Sequence, residues 1–394
     1  MGSAGRRLGP LPVINLVVLE IGLALGLVLI AASPARWWVA LPILLIAVPL
    51  GLGRWQRLWL ARWVQLKAHY LLRSRYRSTT EPDPVADRDD PRLALLQLVL
   101  PGLTIAPGID HRREPLGLAW HEGTWTAVLE VDPAPSMITP LDGAPSLPLG
   151  ALVPCLSDRG VVLDAIQVVS HCYPGSAAPP LSLAARSYLD VLGPWPAPAR
   201  RSTWIAVRLD PRRCPAAVAE RGGGVTGCHR ALIGALARVR GALESRGVPA
   251  RPLDTGQLLR AGTVAAGLTL PLPGATGGEQ PVTLAEGWAA VTAGGVGHTS
   301  YAVTGWGNRG AAPDLSVLAG VPALSTTLAL SLSPGAAGVR LRGVIRISAR
   351  NPAQLDAACD QLHAATHQHR LALQPLRGQQ LSGLAATLPL GTPG

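Results

Sequence analysis

The sequence predicts a mixed α/β protein in which two N-terminal transmembrane helices are followed by a cytosolic mixed α/β domain. Three observations predict it: two long apolar runs near the N-terminus, positive charge crowded beside them, and short β-branched runs interleaved with helical patterns beyond residue 93. The reading divides the chain into a cytoplasmic N-terminus (1–10), a transmembrane hairpin (11–53), a basic Trp-rich juxtamembrane helix (54–78), a linker (79–93) and the α/β domain (94–394).

Residues 11–32 form a 22-residue run with one ionisable member, Glu20, and residues 37–53 form a 17-residue run with none. As helices they would reach about 33 and 26 Å against a hydrocarbon core of about 30 Å, so the second spans only barely. A secretory signal peptide is the competing reading of the first run. Its apolar region would be shorter, and a cleavage site would have to fit before a second apolar run that begins five residues later. A carboxyl in mid-span is costly when it faces lipid, so Glu20 is expected to face a partner helix, bind a polar group or stay protonated. Pro42 and Pro49 remove backbone donors from the second run and favour kinks, which packed helices tolerate better than lone ones.

Charge separates the two parts of the chain. Residues 1–80 carry ten basic residues against one acid, whereas residues 81–394 carry 25 basic and 23 acidic ones. A domain that gripped a phosphate backbone would carry the excess itself, so the distribution argues against nucleic-acid binding. Arg6 and Arg7 precede the first run, seven basic residues follow the second, and a single Arg36 lies between them. The positive-inside rule then places both termini and the large domain in the cytoplasm, making a multi-pass protein of the cell inner membrane. Phenylalanine is absent, Lys67 is the only lysine, and Ala, Gly, Pro and Arg abound, a bias of GC-rich codon usage. The five cysteines show no CxxC pair and suit a reducing compartment as small buried hydrophobes.

After the second run, Trp55, Trp59, Trp63, Leu66 and Tyr70 recur at steps of four, four, three and four, which would align them on one face of a continuing helix. Indoles favour the headgroup level, and Arg54, Arg57 and Arg62 between them would reach anionic lipid headgroups. The lower half of that stripe is too apolar for water and is expected to dock on protein. An amphipathic interfacial helix accounts for the upper half equally well.

Beyond the Pro- and Asp-rich linker, β-branched alternation predicts strands at 124–131, 161–169, 203–209, 299–304, 326–332 and 339–347. Helices are predicted at 181–192, 211–221, 226–246 and 352–369, two of them opened by a cap-plus-proline pair, Asp210-Pro211 and Asn351-Pro352. The mixed order argues for helices packed on a sheet. No internal repeat is evident in the residues.

No motif carries chemistry. Arg221-Gly222-Gly223-Gly224 could aim amides at a phosphate, but it lacks the Lys-Ser/Thr of a P-loop and the spacing of GxGxxG, and a kink between helices explains it better. His363 and His367 share a helix face while His369 does not, and no acid completes a zincin motif, so no metal site is assigned. Asp87 and Asp89 have the two-carboxylate spacing that some nucleotide-sugar transferases use to hold a divalent ion, but a solvated linker explains them better. His121-Glu122 lacks the second His of HExxH, and no GxSxG is present. The expectation is no catalytic residue, no cofactor and no metal.

Three segments carry a resemblance: LPLGALVPCLSDRGVVLDAIQVVSH at 147–171, LGPWPAPARRSTWIAVRLDPRRCPAAVAERGGG at 192–224 and LQPLRGQQLSGLAATLPLG at 373–391. Together with the two apolar runs and the basic segment, they resemble the EccE family of the type VII (ESX) secretion machinery of mycobacteria. The resemblance implies a non-enzymatic structural subunit of an inner-membrane complex, anchoring and stabilising it beside EccB, EccC and EccD type subunits, with energy from the EccC ATPase. It supplies no catalytic residue to carry over. A membrane-tethered nucleotide-sugar transferase is the alternative.

Overall fold

The structure, a computed structural model, describes residues 7, 8, 11–33, 37–55, 58–79, 90–132, 147–173, 200–268, 281–306, 321, 323–336 and 338–390. It divides into two compact units, Met1–Ser74 and Arg75–Gly394.

The first unit is built on helices α1 (Val13–Ala32), α2 (Trp37–Leu52) and α3 (Leu60–Leu72). α1 has 20 residues, about 30 Å of helix, and is long and apolar enough to cross a bilayer. α2 has 16 residues, about 24 Å, and falls short of that length. The two helices meet through small residues. A methyl group on Gly22 would overlap that of Ala47, one on Gly26 would touch Leu44, and one on Gly51 would overlap Leu19. Asn15, fully buried, donates from Nδ2 to the Gly51 carbonyl at 2.7 Å. Close backbone approach of this kind is how helices associate where no hydrophobic force favours one apolar surface over another.

The second unit is a 13-stranded, wholly antiparallel sheet with helices on both faces. Its strands are β1 (Tyr76–Ser78), β2 (Thr104–Ile109), β3 (Pro115–His121), β4 (Thr124–Val131), β5 (Ala165–Tyr173), β6 (Arg200–Leu209), β7 (Ala250–Pro252), β8 (Thr283–Glu286), β9 (Val291–Ala293), β10 (Val296–Trp306), β11 (Ser325–Gly335), β12 (Gly338–Ala349) and β13 (Leu371–Pro375). They lie in the order β1-β8-β9-β10-β12-β11-β5-β6-β4-β3-β2, with β7 added to β4 and β13 to β10. Besides a single helical turn at Leu149–Leu152, the helices described in this unit are α4 (Pro91–Val99), α5 (Pro215–Glu220), α6 (Gly224–Glu244), α7 (Thr255–Ala266), α8 (Pro352–Gln368) and α9 (Gln380–Ala386). Alternation along the central strands separates two cores. Ile166, Val168, Leu328, Leu330 and Leu332 pack with α5, α6 and α8, and Val169 and Ala329 pack with α4, α7 and α9.

Apart from the edge strand β1, that strand order reads the same from either side of the β5–β11 seam. Each half is a three-strand meander, a strand pair, a helix on one face, a short strand and a helix on the other face. The details repeat. The turn Glu122-Gly123 between β3 and β4 and the turn Gly294-Gly295 between β9 and β10 both hold two left-handed residues, as tight two-residue hairpins require. Pro252 lies opposite Leu129 and Pro375 opposite Tyr301, and each of those partners is the sixth residue of its strand. The Leu253 amide donates to the Val128 carbonyl and the Leu376 amide to the Ser300 carbonyl, both at 3.0 Å. The unit is therefore two copies of one topology related by a pseudo-twofold axis normal to the sheet, a repeat the bare sequence hides.

Three expectations change in the structure. The helix expected at 211–221 begins as a 3-10 turn, Pro211–Arg213, and restarts as α5. Pro215 explains the break, because it has no N–H and its ring collides with the carbonyl four residues earlier. The strand expected at 161–169 divides at Leu163-Asp164, where the Val161–Val162 bridge to Ser157–Asp158 ends and β5 begins. The segment expected to stay helical to 78 instead contributes β1, which pairs with β8. The helix expected at 181–192 and linker residues 80–89 lie outside the described residues.

Candidate functional site in the apolar hairpin and its basic helix

The outer surface of the hairpin is apolar almost throughout: Leu16, Ile21, Leu23, Leu25, Leu27, Val28, Leu45 and Ile46 are all exposed. Such a surface in water would be a large apolar patch, whereas in hydrocarbon it is solvated. Glu20 also faces outward, away from the Gly22–Ala47 contact. Glu20 thus lies on the outer surface of the hairpin. Asn15, not Glu20, is the polar group the hairpin uses internally.

The tryptophan stripe is interrupted. α2 ends before Gly53, whose N–H donates to the Pro49 carbonyl at 2.7 Å, and a Cβ there would overlap that same carbonyl. Arg54–Trp55 then pairs with Leu58–Trp59 as a short antiparallel bridge, and α3 starts at Leu60. Trp55 and Trp59 therefore precede the helix, and only Trp63, Leu66 and Tyr70 share its face. The Arg54 guanidinium lies over the Trp59 ring at 4.1 Å, a cation–π contact that holds this bridge compact. Tyr70 is buried, with the Lys67 ammonium 5.7 Å from its ring centroid. Arg62, Leu71 and Leu72 are exposed. Within the unit α3 lies against α1 and α2. Arg57 lies outside the described residues, as do Asp87 and Asp89.

In the second unit the sheet face beneath α7 carries a buried polar cluster that the sequence reading did not single out. Arg346 on β12 is fully enclosed, and its Nη2 donates to the Ala265 carbonyl in the last turn of α7 and to Thr327 Oγ1 at 3.0 Å. Among the described residues no acid pairs with it. The carbonyl end of the α7 dipole supplies the compensating negative charge, and burial lowers the guanidinium pKa to about 9. His171 Nδ1 meets Thr327 Oγ1 at 2.7 Å, and His298 Nδ1 meets Ser348 Oγ at 2.9 Å. Burial first, then the Arg346 charge, holds His171 at about 3 and His298 well below the usual imidazole value, so both rings are neutral. The only sequence signal was an arginine inside an apolar strand, Val344-Ile345-Arg346-Ile347.

The chemistry of these groups is structural. Burial raises the thiols of Cys155, Cys172, Cys228 and Cys359, which disfavours the nucleophilic thiolate. Among the described residues no three His, Cys, Asp or Glu side chains group as a metal site. His363 lies edge-on to the Tyr301 ring at 5.1 Å, a packing role.

Comparison with known proteins agrees with the quoted resemblance. Residues 197–303, which run from β6 through α6 and α7 into β10, match the family described as "Putative type VII ESX secretion system translocon, EccE". The chain is 34% identical over 156 residues to the ESX-1 secretion system protein EccE1 of Mycolicibacterium smegmatis, covering 38% of this chain and 32% of that protein. It is 28% identical over 219 residues to EccE1 of Mycobacterium tuberculosis, covering 54% of this chain and 43% of the relative. It is 27% identical over 174 residues to the ESX-5 secretion system protein EccE5 of Mycobacterium marinum, covering 40% of this chain and 41% of the relative. The chain thus matches about a third to two fifths of the length of these curated relatives. On these matches the chain is similar to the EccE family through a segment centred on residues 197–303.

Proposed function

We propose that the protein is a non-enzymatic structural subunit of an inner-membrane type VII secretion complex, which it anchors and stabilises for protein export. The reading is carried by one observation: a hairpin whose outward surface is apolar except for Glu20 sits in the same chain as a segment that matches the translocon family. In this reading α1 crosses the membrane, and α2 completes the hairpin as a short second span whose deficit of a few ångström is met by local thinning of the bilayer or by the flanking Trp37, Trp38 and Arg54. In this reading both termini and the α/β unit lie in the cytoplasm, which the basic residues after α2 support. Trp55, Trp59 and Trp63 with Arg54, Arg57 and Arg62 mark the headgroup level, and Tyr70 fixes α3 beneath it. The partners are EccB, EccC and EccD type subunits, one of whose membrane helices receives Glu20.

A carboxyl in hydrocarbon is retained when a neighbour hydrogen-bonds it, so its removal should be felt at the interface. Glu20→Leu, with tagged chain extracted in mild detergent from cells carrying the whole system, is expected to reduce co-purification of the other membrane subunits severalfold without lowering the amount of extracted chain. Undiminished co-purification would remove Glu20 from the interface, and a chain that emerges alone even as wild type would remove the proposed role.

A further inference from the structure

The α/β unit carries a cleft that the anchoring role leaves unused. It has a volume of about 360 Å³ and lies between the tip of the Ser157–Val162 hairpin and the outer face of α6, lined by Asp158, Arg159, Arg221, Ala231, Gly234 and Arg238. Three guanidinium groups face one carboxylate across it. Arg221 is held by its own neighbours, donating from Nη1 to the Ala217 carbonyl at 2.7 Å and from Nη2 to the Arg159 carbonyl at 3.4 Å. Arg238 is the least satisfied. Its Nε lies 3.3 Å from Asp158 Oδ2 without the alignment of a hydrogen bond, and both Nε and Nη2 are buried and without any hydrogen-bond partner.

The backbone keeps the cleft open. Arg159 and Gly160 are both left-handed, which folds the hairpin tip into a two-residue turn and leaves the Arg159 side chain mostly in solvent at the rim. On the floor, Gly234 leaves open space, since a Cβ there would meet nothing within 4 Å. The glycines of the Arg221–Gly224 turn do not form the site. The Gly222 and Gly223 amides are already spent on the Ala219 and Val218 carbonyls, so the turn is the kink the sequence suggests, and its contribution is to present Arg221.

We propose that this cleft binds an oxyanion, a phosphate or a carboxylate, between the guanidinium groups of Arg159, Arg221 and Arg238. The planar fork of arginine matches both groups, and a ligand oxygen would satisfy the two donors of Arg238 that the protein leaves open once the guanidinium edge turns from the protein toward the cleft. Asp158 orients Arg238, and although its own charge opposes an anion, the three guanidinium groups outnumber it and leave the cleft net positive.

The test uses the full chain in detergent at low salt, titrated calorimetrically with pyrophosphate in one arm and with a tetraglutamate peptide in the other. Arg238→Gln should weaken binding at least about tenfold, the usual effect of deleting a charge-assisted donor pair. Gly234→Leu should abolish binding by filling the floor, while leaving thermal stability unchanged or raised because glycine is a poor helix former. Loss in the pyrophosphate arm identifies a phosphate ligand, and loss in the peptide arm alone identifies an acidic segment of another polypeptide. Absence of binding in both arms, or binding that neither substitution alters, overturns the proposal.

Discussion

Arg240 on α6 is almost fully enclosed, and three carboxylates converge on it: Asp110 at 3.3 Å, Glu114 at 2.8 Å and Glu244 at 3.1 Å. The first two belong to the turn between β2 and β3, so this one side chain fastens that hairpin to the helix. Removing it strands the buried Asp110 without a cation, and Arg240→Ala should cost about 3–5 kcal/mol, read as a fall in the midpoint of urea unfolding. A loss under 1 kcal/mol would mean that Arg112, which pairs with Glu244 at 2.7 Å, takes over its role. His171 and His298 make a separate claim. Their folded pKa values lie below the unfolded value near 6.5, so protons bind the unfolded chain preferentially and stability falls as pH drops through 6.5 toward about 3. Thermal midpoints should therefore decline between pH 7 and pH 5, above the range where most carboxylates titrate, and His171→Gln should flatten that decline. An unchanged slope would mean the rings are protonated in the folded state. Beyond the arginine inside the apolar run 344–347, little of this is readable in the sequence, because a lone Arg or His does not reveal which face of its helix or strand it occupies.

Among the elements, what the sequence made legible was whatever is encoded locally. β4 is found at its expected bounds, and α8 begins where Asn351-Pro352 predicts, the Asn351 side chain accepting from the Gln354 amide at 2.8 Å. Asp254 and Gln257 form a capping box that opens α7, and Asp90-Pro91 opens α4 in the same way as the two recognised pairs. Both signals were present and passed over, because the segments that follow are short or rich in Gly and Ala. The missed motif in the hairpin is Gly22-Leu23-Ala24-Leu25-Gly26, whose small residues let α1 approach α2. Gly22→Leu should force the helices apart and broaden the size-exclusion peak of the detergent-extracted chain, whereas Leu23→Ala on the exposed side should not. Equal behaviour of the two would contradict the hairpin packing. The error over α3 has the same origin in reverse. A count of aromatic residues at helical spacing cannot register Gly53, whose amide makes a last i→i−4 bond to Pro49 before the chain leaves the helix for the Arg54–Trp55 bridge.

The whole molecule joins a hairpin suited to hydrocarbon with a duplicated α/β unit. The duplication escaped the sequence because the two halves share almost nothing but a spaced pattern, Pro252-Leu253 with Gln257-Leu258 against Pro375-Leu376 with Gln380-Leu381. Register and topology, not residue identity, carry the likeness. Because β5 and β11 pair across the centre, with Val169 opposite Ala329, the sheet is continuous and the halves should unfold together. Val169→Asp buries a charge at that seam and should erase amide protection in β4 and β10 alike; loss confined to one half would make the halves independent domains. The proposed role depends on neighbours, and an outward Glu20, a short second helix and a segment similar to a translocon family support it. The most direct measurement is the native mass of the particle that contains this chain after mild extraction from its own membranes. The account predicts an assembly many times the mass of the chain, holding other secretion subunits, and a lone, fully extracted monomer would contradict it.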